Sequence, residues 1–250
     1  ATNAEVEKQH NERYIDNMLI RSSLPDVSLY ANVGKQNVFS RMLKRFGYDF
    51  HNAFADLAVS RKEGINGRLS IDSLVASGVQ IDTIRMAFTS DSAKTNFEGQ
   101  IRNNRSNPQF VFNAQMRGAV TKESIYLGTR VYDGRYRLGI ALGLKADMQP
   151  GGVKMSLGGI DPVLGYKKFK VNKDNYVFFA ENQRISADMR LRADDGMGVQ
   201  IYSNDSTETK QDLSVSLNQF DLQKVLAVVP YAPQVAGLLN GDFHWTVSEE

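Results

Sequence analysis

The stretch Asp188-Met189-Arg190-Leu191-Arg192-Ala193-Asp194-Asp195-Gly196-Met197-Gly198-Val199-Gln200-Ile201 decides the fold class. Apolar residues alternate with polar ones on both sides of Asp194-Asp195-Gly196, the period of two that gives a strand one greasy face. A three-residue loop with Gly196 at the positive-φ position joins the two strands as a hairpin. In that register Leu191 faces Val199 and Met189 faces Ile201. Asp188, Arg190 and Arg192, with Gln200 from the partner strand, take the opposite face, which should be wet. The acidic pair Asp194-Asp195 then reads as turn chemistry and not as a carboxylate site.

A second hairpin follows upstream. With Asp133-Gly134 as a two-residue turn, Thr129 faces Leu138, Leu127 faces Ile140 and Ile125 faces Leu142. Val131 and Tyr136 extend that apolar face. Gly128 with Gly139 and Tyr126 with Ala141 lie on the other side, where Arg130 meets Arg137 in an unfavourable like-charge contact. Turn signals recur at Asn66-Gly67, Asn103-Asn104, Pro150-Gly151-Gly152 and Asn204-Asp205, a spacing typical of antiparallel β architecture. Helical patterning is confined to three places. The charged lead-in is helical over 3–21. Asn37 caps a helix to Phe46 with Phe39, Met42, Leu43 and Phe46 at helical offsets. A third helix runs from Asp221 to Val229, ahead of Pro230 and Pro233. The expected organisation is a helical lead-in over 1–23 and a β-rich segment over 24–250. Leu239-Asn240-Gly241 repeats Ile65-Asn66-Gly67 after a preceding short helix, which suggests a repeat-like unit at 218–247.

Composition narrows the function. The 250 residues are 42% hydrophobic and 23% charged, values of a chain that packs a core. A formal net charge of +2, with Lys and Arg dispersed, lacks the concentrated basic face of a nucleic-acid binder. Cysteine is absent, so neither a disulfide nor a thiolate site exists. No apolar run approaches the roughly 20 residues of a membrane-spanning helix. Both termini read as cuts inside a longer protein. His10, His51 and His244 have no partner at metal-ligand spacing. Nucleophile-elbow and phosphate-loop motifs are missing. We therefore expect no enzyme, no metal and no cofactor. The basic run Lys167-Lys168-Phe169-Lys170 reads first as a solvated edge, whose lysines discourage strand pairing. Met155 and Met189 are adaptable apolar fillers, suited to a core or to a surface that meets flexible ligands.

Two stretches carry a family resemblance. Asn218-Gln219-Phe220-Asp221-Leu222-Gln223-Lys224-Val225-Leu226, then Val229-Pro230-Tyr231-Ala232-Pro233 and Gly237-Leu238-Leu239-Asn240-Gly241-Asp242-Phe243, resembles the repeated unit of TamB-like proteins of the AsmA-like family. Val229-Pro230 replaces that pattern's Leu-Pro. Tyr166-Lys167-Lys168-Phe169, Asn175-Tyr176 and Asp195-Gly196-Met197-Gly198-Val199 are similar to such proteins of the Bacteroidetes type. The resemblance spans about Gly158 to Trp245, and earlier residues, such as Gly64-Ile65-Asn66-Gly67 and Asp82-Thr83-Ile84, match in pattern only. It implies a long, curved, open antiparallel sheet, taco-like with an apolar inner face, in the periplasmic segment of an inner-membrane-anchored envelope protein. It also implies passage of phospholipid or another acyl-chain ligand between inner and outer membrane, or assembly of outer-membrane proteins by strand addition. An outer-membrane barrel protein and neighbouring repeats of the longer chain would be its partners. On that reading Leu127, Leu138, Ile140, Leu142, Leu144, Met155, Met189 and Leu191 are candidates to line the groove, and Lys167, Lys168 and Lys170 to meet head groups.

Overall fold

A computed structural model of the chain describes residues 17–204 and 210–248. The fold is mainly β, with 18 strands joined in one open antiparallel sheet and a few short helices. Among the described residues the chain divides into two compact units, one built on 17–122 with Thr129–Arg137 and the other on Glu123–Gly128 with 138–204 and 210–248. The expected helix over 3–21 lies outside the described residues except for its end, α1 (Asn17–Ser22).

The first unit continues with β1 (Val27–Gly34), α2 (Val38–Arg45), β2 (Tyr48–Asp49), β3 (Asn52–Ser60), β4 (Gly64–Ala76), β5 (Val79–Ser90), β6 (Lys94–Asn103) and β7 (Phe112–Thr121). β1, β3, β4, β5, β6 and β7 pair in that order, and β2 pairs with the far end of β4. Helix α2 starts where Asn37 Oδ1 accepts the Ser40 N–H at 2.8 Å, while the Ser40 hydroxyl oxygen accepts the Asn37 N–H at 3.2 Å. This reciprocal cap satisfies two amides that a helix start leaves unpaired. Of its apolar residues, Val38 is 80% exposed, Met42 48% and Phe46 70%, while Leu43 is half-buried and Ser40 is buried where α2 meets β1 and β2.

The second unit opens in β8 (Ser124–Asp133) and continues through β9 (Leu138–Gln149), β10 (Gly152–Leu157), β11 (Val163–Leu164), β12 (Lys167–Lys168), β13 (Lys170–Val171), β14 (Tyr176–Ala180), β15 (Ile185–Arg192), β16 (Gly198–Ser203), β17 (Lys210–Asp221), α3 (Leu222–Leu226) and β18 (Leu238–Ser248). The main ladder runs β9–β10–β14–β15–β16–β17–β18. The short strands β11 to β13 belong to a flap that pairs with β9 and β15. Helix α3 is shorter than expected, and its cap is Asp221, whose carboxylate accepts the Lys224 N–H at 3.0 Å.

The hairpin at Asp194-Asp195-Gly196 has the expected register, with Met189 opposite Ile201 and Leu191 opposite Val199. Gly196 has φ +91°, and the Ala193 N–H donates to Met197 O at 2.8 Å across the loop. The hairpin at Asp133 differs from expectation. Its loop is Gly134-Arg135-Tyr136, with Tyr136 at φ +60° and the Asp133 N–H donating to Arg137 O at 3.1 Å. At the far end the Met148 N–H donates to Glu123 O at 2.7 Å, so Leu127 does not face Ile140. The cause is the Asp133 carboxylate, which accepts the Arg135 and Arg137 N–H groups at 2.9 and 3.0 Å and pairs with the Arg137 guanidinium at 2.7 Å. That longer loop also removes the Arg130–Arg137 repulsion.

The two Asn-Gly sites share a physical role. The Asn66 side chain accepts the Ser90 N–H at 2.9 Å, and the Asn240 side chain accepts the Gln219 N–H at 2.7 Å, where the β17–β18 register shifts. Each carboxamide gives a strand amide an acceptor that the ladder does not supply, at a register shift for Asn240 and just past the last β4–β5 pair, Gly67–Phe88, for Asn66. Gly67 adds a second constraint. Its φ is +131°, and a Cβ there would lie 2.0 Å from Asp56 O. Gly67→Ala should therefore lower unfolding free energy by about 3 kcal/mol, from backbone strain and a forced separation of β3 from β4. Urea melts check this, with Gly34→Ala, where the Cβ meets nothing within 4 Å, as the tolerated control.

Candidate functional site

Register determines what each face of the sheet carries. In the first unit Ile71 faces Ile84, Ile84 faces Ile101, and Ile101 faces Ala114 across β4 to β7. The next row joins Leu69, Met86, Gly99 and Met116, and the row after it pairs Phe88 with Phe97. β3 and β1 continue the face with Ala53, Ala55, Leu57 and Val59, then Val33, Ala31, Leu29 and Val27. Period-two alternation makes the middle of this side apolar because every strand keeps the same parity relative to its neighbour, and Ser90, Thr95 and Asn103 bound it at the strand ends. Apart from Phe112 at one end, no large side chain of these rows is fully buried. Ile71, Ile84, Ile101, Met86, Phe88 and Phe97 remain half-buried, and Val27 and Leu29 are each 50% exposed. Among the described residues of this unit, Phe50 and Phe112 are the buried hydrophobics.

The second unit repeats the pattern with one covered end. Leu144 faces Leu157, Met155 faces Ala146 and Val177, and Val153 faces Met148 and Phe179. The face continues through Ile201 to Val215 and Phe243, and through Ser203 to Leu213 and Trp245. At the loop end of β15 it is closed. Phe169 from the flap packs with Met189, Leu191, Ala193 and Met197, and Val225 of α3 adds to that cluster. Elsewhere it is not closed, with Phe179 43%, Phe243 57%, Trp245 48% and Val247 44% exposed.

This arrangement sorts the residues singled out from sequence. Leu138, Ile140, Leu142, Leu144 and Met155 are half-buried on the apolar face. Leu127 belongs with them, since its neighbour Tyr126 lies under the Lys145 ammonium at 5.4 Å on the other face. Met189 and Leu191, 9% and 7% exposed, are core side chains and not the lining of an open surface. The reason is the flap, whose Phe169 is 4% exposed and covers them. The other face of β9 is built from Gly139, Ala141 and Gly143 because covering elements come close to it. A Cβ on Gly139 would meet Val228 at 2.2 Å, and one on Gly143 would meet Gly158 O at 2.0 Å. The lysines are also reassigned. Lys167 pairs with Asp195, and Lys170 with Asp194 at 2.7 Å, so two of the three head-group candidates brace the β15–β16 turn. Lys168 is exposed.

The apolar rows of the first unit were missed as site residues, although Ile84-Arg85-Met86-Ala87-Phe88 carries the same alternation. Among the described residues no group of His, Cys, Asp or Glu has metal-ligand geometry, and no helix is long and apolar enough to cross a membrane. His244 lies on the polar face, 2.9 Å from the buried Ser214 hydroxyl.

Met189→Ala should cost about 2–5 kcal/mol, as large-to-small changes do in closed cores. Ile84→Ala, which loses half-exposed surface and leaves no enclosed cavity, should cost about 1 kcal/mol. Equilibrium denaturation of both variants separates the covered from the uncovered part of the face. A second expectation concerns the turn. The Lys167 ammonium holds the Asp195 carboxyl below its ordinary 3.8, helped by the Met197 N–H. A carboxyl depressed in the folded state contributes stability above its unfolded pKa and loses it as pH falls through the folded one. The contribution should therefore fade below about pH 3.8, and Lys167→Gln should move the Asp195 carbon-13 titration midpoint upward.

No family model, curated protein or solved structure matches this chain.

Proposed function

We propose that the apolar face of this sheet binds acyl chains, and that the chain is a lipid-conducting segment of an envelope protein of the TamB type. The observation behind this reading is the row Val33, Ala53, Ile71, Ile84, Ile101 and Ala114, apolar and half-buried across β1, β3, β4, β5, β6 and β7, which no described element of the unit buries. An aliphatic chain needs area and no polar partner, so such a face holds it without a motif of fixed residues. Burial of apolar area at about 25 cal/mol per Å² makes the face a strong site for a long flexible ligand. On this reading Leu138, Ile140, Leu142, Leu144, Leu127 and Met155 extend the surface in the second unit, phospholipid is the ligand, and the setting is the periplasm. The chain performs no catalysis.

A second reading has one observation in its favour. Among the described residues β18 pairs on one side only, with β17, and it exposes Phe243, Trp245 and Val247. An unpaired strand with apolar side chains is a template for strand addition, the means by which an assembly scaffold would hold an outer-membrane client.

Mass spectrometry of organic extracts from protein purified without detergent tests the first reading. Near-stoichiometric phospholipid is the expected result. Ile84→Gln with Ile101→Gln should lower the captured lipid several-fold while shifting the melting temperature by only a few degrees. A lipid-free parent protein that also fails to take up a fluorescent fatty acid would defeat the proposal.

A further inference from the structure

The polar side of the first unit holds a trough of about 630 Å³, a size typical of small-ligand sites. Register explains why it is there. Two side-chain rows cross β4 to β6 on this face, and each has a short residue in it, Ala87 in one and Ser70 in the other. Those two form the floor. Arg68 and Glu98 flank Ala87, while Phe54 and Arg85 flank Ser70, so long side chains wall a depression.

The walls are cationic. Arg68, Arg85 and Arg117 line the trough, against Glu98 as its one acid. Glu98 is 3.8 Å from Arg117, which leaves the other two guanidinium groups to be accounted for. Arg68 lies over the Phe54 ring at 5.1 Å, with Asp56 opposite it on β3. Arg85 has Ser70 and Gln100 as its cross-strand neighbours, neither of them acidic. Arg68 and Arg85 make no ion pair among the described residues. They are diagonal neighbours on adjacent strands, about 7–8 Å apart at Cα. Two like charges held that close on a concave surface favour an anion between them, and the planar fork of each guanidinium matches a phosphate bidentately. Gln100, whose Nε2 donates to Asn113 at 2.9 Å, keeps its carbonyl oxygen for a hydroxyl donor. Gln115 lies beyond it in the same row.

We propose that this trough binds a phosphorylated sugar, its phosphate between Arg68 and Arg85 and its hydroxyls against Gln100 and Gln115. The site is on the opposite face from the acyl-chain surface and does not depend on it. Sugar phosphate reaches such a site either free or as a lipid head group, and the chemistry of recognition is the same.

Isothermal titration of the chain with glucose 1-phosphate tests the site, with glucose and inorganic phosphate as component probes. Saturable binding of glucose 1-phosphate, tighter than of either component, is expected. Arg68→Gln and Arg85→Gln should each weaken it by about tenfold or more, the loss of one charge-assisted pair, while Arg61→Gln, outside the trough, leaves it unchanged. Unaltered circular dichroism and melting temperature of the variants show that the loss is local. Flotation with phosphatidylinositol vesicles against phosphatidylcholine vesicles identifies the source. Arginine-dependent vesicle binding assigns a head group, and binding of the soluble probe alone assigns a free ligand. Absence of saturable binding in both assays, or binding that survives the double variant, overturns the proposal.

Discussion

A sheet has two faces, and the apolar one must be covered by something. In this chain the strands far outnumber the elements able to cover them. The flap carrying Phe169 and the short helix carrying Val225 close one end of the second unit. They are too small to close more, and α2 in the first unit leaves Val38, Met42 and Phe46 exposed. What remains is greasy area held in place by backbone hydrogen bonds and not by a packed interior. The ladders position that area, and the side-chain amides of Asn66 and Asn240 matter because they supply acceptors where a ladder ends or shifts register.

Most of what was local was legible in the sequence. The turn at Asp194-Asp195-Gly196 could be read because a glycine at the positive-φ position and two alternating strands agree with one another over a few residues. The Asp133 hairpin was misread for a reason that is also local but less visible. A carboxylate that gathers two backbone amides and a guanidinium favours a longer loop, and it places Tyr136, a bulky residue, in left-handed conformation. Helix α2 was readable from its cap, whereas the direction its stripe faces depended on where the sheet edge lay.

Non-local facts were beyond such reading. Met189 and Leu191 look the same in sequence as Leu142 and Leu144; only the flap some 20 residues earlier in the chain makes the first pair a core. The polar trough is less visible still. Arg68, Arg85 and Glu98 occupy ordinary polar positions of three strands, and the hollow between them exists only once Ala87 and Ser70 are aligned across the ladder. The clue was three arginines recurring at solvent-facing positions with small residues interleaved, which means something only when strand order and register are known.

Trp245 has a consequence of its own. It is the one tryptophan in the chain, and it lies half-exposed on the apolar face, opposite Leu213. Indole emission shifts to shorter wavelength as water leaves its surroundings, and no second indole contributes a background. The chain thus carries its own optical reporter of whether that part of the face is wet or covered, readable without any label.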